Sequence, residues 1–223
     1  MRQLKLAIFD MDGLLLDSER WSIASFKKIA ETLGYEPDMD AFLKAMGRKQ
    51  RKGIEELLIG CPKEKAQEAE KKAELIYESC LRELCEQGAD VLPGVEEILA
   101  YLKKQGVRCV VASSSSRRKV ESLMGKSGIL DYFVGCISGD DVKTGKPDPE
   151  IFLKACSLYD VSANEALVFE DSDNGAMAAY QAKIPFVLVE DLAFISDDAR
   201  SSCLCLTDRI DKAIPVLKQT YSL

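Results

Sequence analysis

Leu4-Lys5-Leu6-Ala7-Ile8-Phe9-Asp10-Met11-Asp12-Gly13 is an apolar run that ends in two carboxylates one residue apart. A continuous apolar run of this kind suits a strand covered on both faces, and open α/β sheets place their chemistry just beyond the carboxyl ends of such strands. In extended backbone Asp10 and Asp12 project to the same side, and Gly13 offers a place to turn. Two neighbouring anions repel unless a cation, a proton or hydrogen-bond donors compensate them. The pair therefore predicts a Mg²⁺ site or a nucleophile with an acid/base partner. The structural alternative is one carboxylate capping a turn beside a solvated one.

Working outward, the texture of the chain changes twice. Residues 17–33 carry Trp21, Ala24, Phe26, Ile29, Ala30 and Leu33 at helical spacing, with Gly34 as a stop. Residues 37–88 show no strong strand pattern, only helical stretches over 40–46, 54–59 and a long one over 63–87. The dense mixed charge at the start of that long stretch reads as a solvated face with i,i+4 pairs. From Val91 onward, apolar strands over 107–112, 133–138, 166–169 and 186–189 alternate with helices, and each strand runs into small polar or acidic residues. Repeated βα alternation is the pattern of a parallel sheet with helices on both faces. The predicted fold class is α/β: a doubly wound, Rossmann-like core from residues 1–15 and 90–223, interrupted by an all-helical cap over residues 16–89. Because the insert begins directly after the acidic pair, it is expected over the strand ends as a lid.

Composition narrows the chemistry. The 223 residues, 47% apolar and 30% charged, describe an ordinary globular protein able to bury a proper core. No apolar stretch approaches the roughly 20 residues of a membrane span, and no signal-like segment precedes the first strand, so the expectation is a cytoplasmic protein without a membrane partner. Eight scattered cysteines fit reduced thiols, and Cys203-Leu204-Cys205 lacks the histidine or second pair that would complete a zinc set. A net charge of −7 argues against nucleic acid as a partner. Histidine is absent, which removes Ser-His-Asp, Cys-His and imidazole acid/base chemistry. Catalysis has to come from carboxylates, hydroxyls, lysines and a metal ion.

Four strand ends then call for one explanation: Asp10 with Asp12, Ser113 with its neighbour Ser114, the Gly145-Lys146-Pro147-Asp148-Pro149 loop, and Glu170 with Asp171. Together they read as a phosphoryl-transfer site. Magnesium favours hard oxygen ligands, usually a few carboxylates with water and substrate phosphate, and Asp10 and Asp171 are the natural carboxylates. Mg²⁺ and Lys146 would neutralise the charge that otherwise keeps a phosphate dianion from Asp10. Ser113 and nearby amides at a helix start suit phosphate oxygens. Asp10 is the candidate nucleophile for an aspartyl-phosphate, and Asp12 the candidate acid/base. Each element has a plainer reading alone: Ser113 as a helix cap, Lys146 as a loop lysine, Glu170 and Asp171 as helix-start charge.

At these residues the chain resembles the haloacid dehalogenase superfamily of phosphohydrolases over essentially its whole length. Phe9-Asp10-Met11-Asp12-Gly13, Val111-Ala112-Ser113, Gly145-Lys146-Pro147 and Glu170-Asp171-Ser172-Asp173-Asn174-Gly175 look like its four motifs, in order. The resemblance implies Asp10 as nucleophile and Asp12 as general acid/base. It implies Mg²⁺ on the Asp10 carboxylate, the Asp12 backbone carbonyl and Asp171, with Glu170 as a further or outer ligand, and phosphate on Ser113 and Lys146. The insert and Asp17-Ser18-Glu19 resemble the subgroup holding β-phosphoglucomutase and small sugar-phosphate phosphatases. The mutase branch has a cap histidine near the position of Ser22, and none exists here, so hydrolysis of a small phosphorylated metabolite is the expectation, with a phosphomutase as alternative and a non-catalytic phosphate-binding or protein-interaction relative as a third reading. The basic run Arg48-Lys49-Gln50-Arg51-Lys52 falls where that subgroup has its specificity loop, making Arg48, Lys49 and Arg51 candidate contacts to an anionic sugar phosphate or phosphorylated sugar acid. A monomer is expected, with a dimer as the other option.

Overall fold

A computed structural model describes residues 2–34, 39–45, 54–55, 58 and 63–222. Six strands form one parallel sheet: β2 (Leu6–Phe9), β3 (Arg108–Ala112), β4 (Phe133–Ile137), β5 (Ala166–Glu170), β6 (Phe186–Val189) and β7 (Cys205–Thr207), in the order β4-β3-β2-β5-β6-β7. The strand that carries the acidic pair is central. Two further strands, β1 (Arg2–Gln3) and β8 (Tyr221–Ser222), pair in parallel and tie the first described residues to the last.

Alternation along each strand sends neighbouring side chains to opposite faces. Ala7, Phe9, Cys109, Val111, Leu167 and Phe169 join one cluster with α4 (Val95–Lys104), α5 (Arg117–Lys126) and α9 (Ile214–Thr220). Leu6, Ile8, Val110, Ala112, Val168 and Leu188 join the other with α6 (Glu150–Leu158), α7 (Asp173–Gln181) and α8 (Asp197–Ser202). Burial on both faces explains why these strands read as continuous apolar runs. Phe9 anchors the centre, stacked on Phe169 at 4.6 Å between ring centroids and edge-on to Phe133 at 5.8 Å.

Register brings the chemistry to one edge. Phe9 lies opposite Val111 on one side and Phe169 on the other, so the residues that follow, Asp10, Ala112 and Glu170, are level at the carboxyl ends. The Asp10 N–H donates to the Phe169 carbonyl at 3.0 Å and the Ser113 N–H to the Ile137 carbonyl at 3.0 Å, continuing the ladder one step past the strands.

Between β2 and α4 the longer described elements are helices: α1 (Glu19–Leu33), α2 (Met39–Ala45) and α3 (Lys63–Gln87). They share a cluster apart from both sheet faces, with Phe26, Ile29, Phe42, Ala73, Tyr77 and Leu81 buried together. The two chain passages that connect this segment to the sheet lie side by side: the Asp17 N–H donates to the Asp90 carbonyl at 2.9 Å and the Leu92 N–H to the Leu15 carbonyl at 3.0 Å. The end of α3 rests on α5, where Ser122 Oγ and Lys126 Nζ donate to the Cys85 and Glu86 carbonyls.

The expected core elements are present with ends shifted by one or two residues, as is usual where chain ends fray. Sequence reading omitted β1, β7, β8, α8 and α9. Cys205 opens β7, and the described cysteines are free thiols.

Candidate active site

Asp10 is buried at the central strand end, and its Oδ1 is ion-paired with Lys146. The Lys146 side chain is fully enclosed; its Nζ also pairs with Glu170 Oε1 at 2.5 Å and donates to the Ala112 carbonyl at 3.2 Å. Glu170 is saturated from its other oxygen: Oε2 accepts the Asp171 and Ser172 N–H groups at 3.0 and 3.2 Å and the Ser172 hydroxyl at 3.0 Å. A buried lysine between two carboxylates satisfies charge and hydrogen bonding together. Burial pulls the Lys146 ammonium down, but Asp10 and Glu170 outweigh it and hold the group above the ordinary lysine range. Lys146 therefore stays a cation beside Asp10.

Asp12, beyond the strand, has four donors: Lys119 Nζ at 2.6 Å on Oδ1, Ser18 Oγ on the same oxygen, and Ser115 and Ser113 hydroxyls on Oδ2 at 2.7 and 3.3 Å. Burial alone would raise its pKa, yet Lys119 and the hydroxyls hold it below the usual carboxylate range. Asp10 goes the other way. Burial, opposed by Lys146 and reinforced by Glu170 and Asp12, pushes it up to about 7.

Ser113 is fully buried, and its Oγ accepts the Ser115 N–H at 3.1 Å. It does not cap α5. Ser116 does, accepting the Lys119 N–H, which leaves Ser113 and Ser115 turned to Asp12. Ser114 lies on the same turn, where its carbonyl abuts Gly139 so closely that a Cβ there would clash. Gly175 has the same role below Glu170: any side chain would collide with that carboxylate. Asp171 is buried, and its Oδ2 has no hydrogen-bond partner. Burial first, then Glu19, Glu170 and Asp10, raise Asp171 well above its ordinary value.

The structure thus gathers Asp10, Asp12, Ser113, Lys146, Glu170 and Asp171 at one edge. Arg48, Lys49 and Arg51 fall outside the described residues. Sequence reasoning passed over Lys119 and Ser115, and over Glu19 as a member of the site. For Lys119 a signal existed, since it is the third residue of a helix that begins directly after a strand-end serine run.

The profile of the family described as haloacid dehalogenase-like hydrolase matches residues 7–189. The chain belongs to that family. Among its relatives, the chain is 31% identical to a phosphorylated carbohydrates phosphatase of Thermotoga maritima over 182 residues, 81% of this chain and 82% of the relative. It is 32% identical to a β-phosphoglucomutase of Bacillus subtilis over 188 residues, 80% of each. A hydrolase structure from Pseudomonas syringae superposes with a TM-score of 0.78 at 25% identity, covering 99% of this chain and 100% of that one. For the fold alone, a β-phosphoglucomutase from Clostridium difficile gives 0.78 at 20% identity, covering 98% and 97%.

Haloacid dehalogenase-like phosphatases and phosphomutases generally use Mg²⁺. Among the described residues no three acidic or thiol side chains already form a cage. Magnesium needs no such cage, since it keeps several waters and takes one or two carboxylates with substrate phosphate. The donor set fits: Asp171 ends in a buried oxygen with nothing to bind, beside Asp10, and both carboxyls are pushed up, first by burial and then by the neighbouring acids.

Proposed function

We propose that this chain is a Mg²⁺-dependent phosphatase that hydrolyses a small phosphorylated metabolite, a sugar phosphate or phosphorylated sugar acid, through a phosphoryl group carried on Asp10. The observation that carries this reading is the opposed state of the two acids on one strand end. Asp10 is buried against Lys146, while Asp12 is held by Lys119 and three hydroxyls. Asp10 against its buried cation is placed for attack once positive charge favours its ionised form, and Asp12 among a lysine and hydroxyls is placed to exchange protons.

In the first displacement an Asp10 oxygen bonds to phosphorus, the bond from phosphorus to the substrate oxygen breaks, and Asp12 carries a proton to the departing alkoxide. In the second, Asp12 takes a proton from water as the water oxygen attacks phosphorus, which returns Asp10 and releases phosphate. The resting contacts of Asp12 present its base form. For the first step it has to exchange Lys119 for the leaving oxygen and take up a proton from solvent, which it then gives to the alkoxide and regains from the attacking water. Lys146 offsets charge at Asp10, and Ser113 and Ser114 border the space a phosphate would occupy. Asp10, the Asp12 carbonyl and Asp171 would hold Mg²⁺, which when bound supplies positive charge between nucleophile and phosphate.

Residues 16–89 are read as a cap whose helices cover this edge, with residues 1–15 and 90–223 as the core. The separate cluster of the insert and its paired connections support that division. The cytoplasm is the proposed location; among the described residues no helix is long and apolar enough to cross a membrane.

The deciding experiment incubates the purified protein with a panel of phosphate monoesters, with and without Mg²⁺, and measures released phosphate. Metal-dependent release from sugar phosphates or phosphorylated sugar acids is expected; a folded sample inactive on every ester would overturn the reading. A phosphomutase is the second reading, favoured by similarity to the Bacillus subtilis mutase. Product analysis with β-glucose 1-phosphate separates the two, because a mutase gives the isomer and a phosphatase gives free sugar.

A further inference from the structure

Glu19 is a buried carboxylate that the reaction above does not use. It opens α1, is 4% exposed, and its Oε2 has no hydrogen-bond partner. Asp171 Oδ2 is in the same condition. The two oxygens approach one place, for a Cβ built on Gly13 would meet Glu19 Oε2 at 2.7 Å and Asp171 Oδ2 closer still. Gly13 adopts φ +78°, which glycine tolerates, and its missing side chain leaves room for the two carboxylates to draw together. A glycine is thus required twice, by its backbone and by the two carboxylates crowding it.

Buried carboxylate oxygens from different elements do not face each other without compensation. The surrounding cations have other duties: Lys146 is on Asp10 and Glu170, Lys119 is on Asp12, and Arg20 reaches Asp17 and Asp191 at 3.2 Å each. The start of α1 contributes only a partial positive charge. What suits two such oxygens is a small hard cation.

Building on the Mg²⁺ site of the proposed function, we propose that Glu19 is an additional ligand of the same divalent cation, delivered by the first helix of the insert and not by the core sheet. Glu19 would then join Asp10 and Asp171 in holding the cation. The competing account is a single proton shared between Glu19 and Asp171, with no part in metal binding.

Binding of Mn²⁺ in place of Mg²⁺, read from loss of the free-ion electron paramagnetic resonance signal, tests this without turnover. Wild type, Glu19→Gln, Glu19→Asp and Asp171→Asn are compared at one pH. Glu19→Gln should bind at least about 10-fold more weakly than wild type, and Glu19→Asp, which keeps the charge on a shorter arm, should fall between them. Circular dichroism checks that each variant is folded; if Glu19→Gln is not, Glu19→Asp against wild type decides. Equal affinity in wild type and the folded Glu19 variants, with binding lost in Asp171→Asn, overturns the role of Glu19 alone and favours the shared proton. A wild type that binds no Mn²⁺ overturns the metal site itself, and the proposed function with it.

Discussion

Asp10 and Asp12 are two positions apart, and their neighbours hold them in opposite states, which makes their roles separable by substitution. Asp10→Asn keeps shape and removes the nucleophilic oxygen; kcat should fall by at least about 10³-fold with the fold retained. Wild-type-like hydrolysis by that variant would refute the assignment. Lys119 is the less obvious case. Its burial pulls the ammonium down, yet Asp12, Tyr77 and Asp10 hold it above the ordinary range, so it is a fixed cation beside the proposed acid/base. Lys119→Met should leave Asp12 with hydroxyl donors only, and burial should then raise its pKa. The expected outcome is a kcat lower by about 10²-fold and a pH–activity profile whose acidic limb moves to higher pH. A lowered kcat with an unmoved limb would mean that Lys119 only packs. The two aspartates were legible because they interrupt an apolar run. Lys119 was legible only indirectly, because Arg117-Arg118-Lys119 reads as one exposed basic cluster until Ser116 is taken as the helix start, which turns the third residue inward.

At the scale of elements, what positions the site is how each helix begins after its strand. Ser116 caps α5, and Ser172 caps α7 by accepting the Gly175 N–H at 3.1 Å while its hydroxyl also donates to Glu170. Gly175 lets α7 start directly against the Glu170 carboxylate. Gly175→Ala should therefore be destabilised far beyond the usual small, often favourable effect of alanine in a helix, by about 1–3 kcal/mol, because the methyl group forces apart a buried ion pair. Urea unfolding measures it, and an unchanged midpoint would contradict the close approach. The same scale explains what sequence reading reached. The strands β2, β3, β5 and β6 are covered on both faces, so their apolar runs stand out. The edge strand β7 is only half-buried, short and preceded by Arg200-Ser201-Ser202-Cys203, and α8 and α9 run six and seven residues, too few for a helical period to show.

For the molecule as a whole, an unneutralised acidic centre has a consequence for stability. Asp10 at about 7, and Asp171 and Glu19 raised well above their ordinary values, mainly by burial, all bind protons more tightly when folded than when unfolded. A carboxyl raised in the folded state contributes stability that is fully present below its unfolded value, near 3.8 for an aspartate, and lost as pH rises through its folded value. Protein stripped of divalent cations with a chelator should therefore lose thermal stability as pH rises from about 5 toward 8, with the Asp10 share of the loss easing once pH passes about 7. A bound divalent cation reverses the electrostatics by favouring the ionised carboxylates, so saturating Mg²⁺ should raise Tm more at pH 8 than at pH 5. Thermal melts at both values, with chelator and with excess Mg²⁺, measure the difference. A Mg²⁺ stabilisation that is equal at the two pH values, or greater at pH 5, would show that the cation does not bind through these acids.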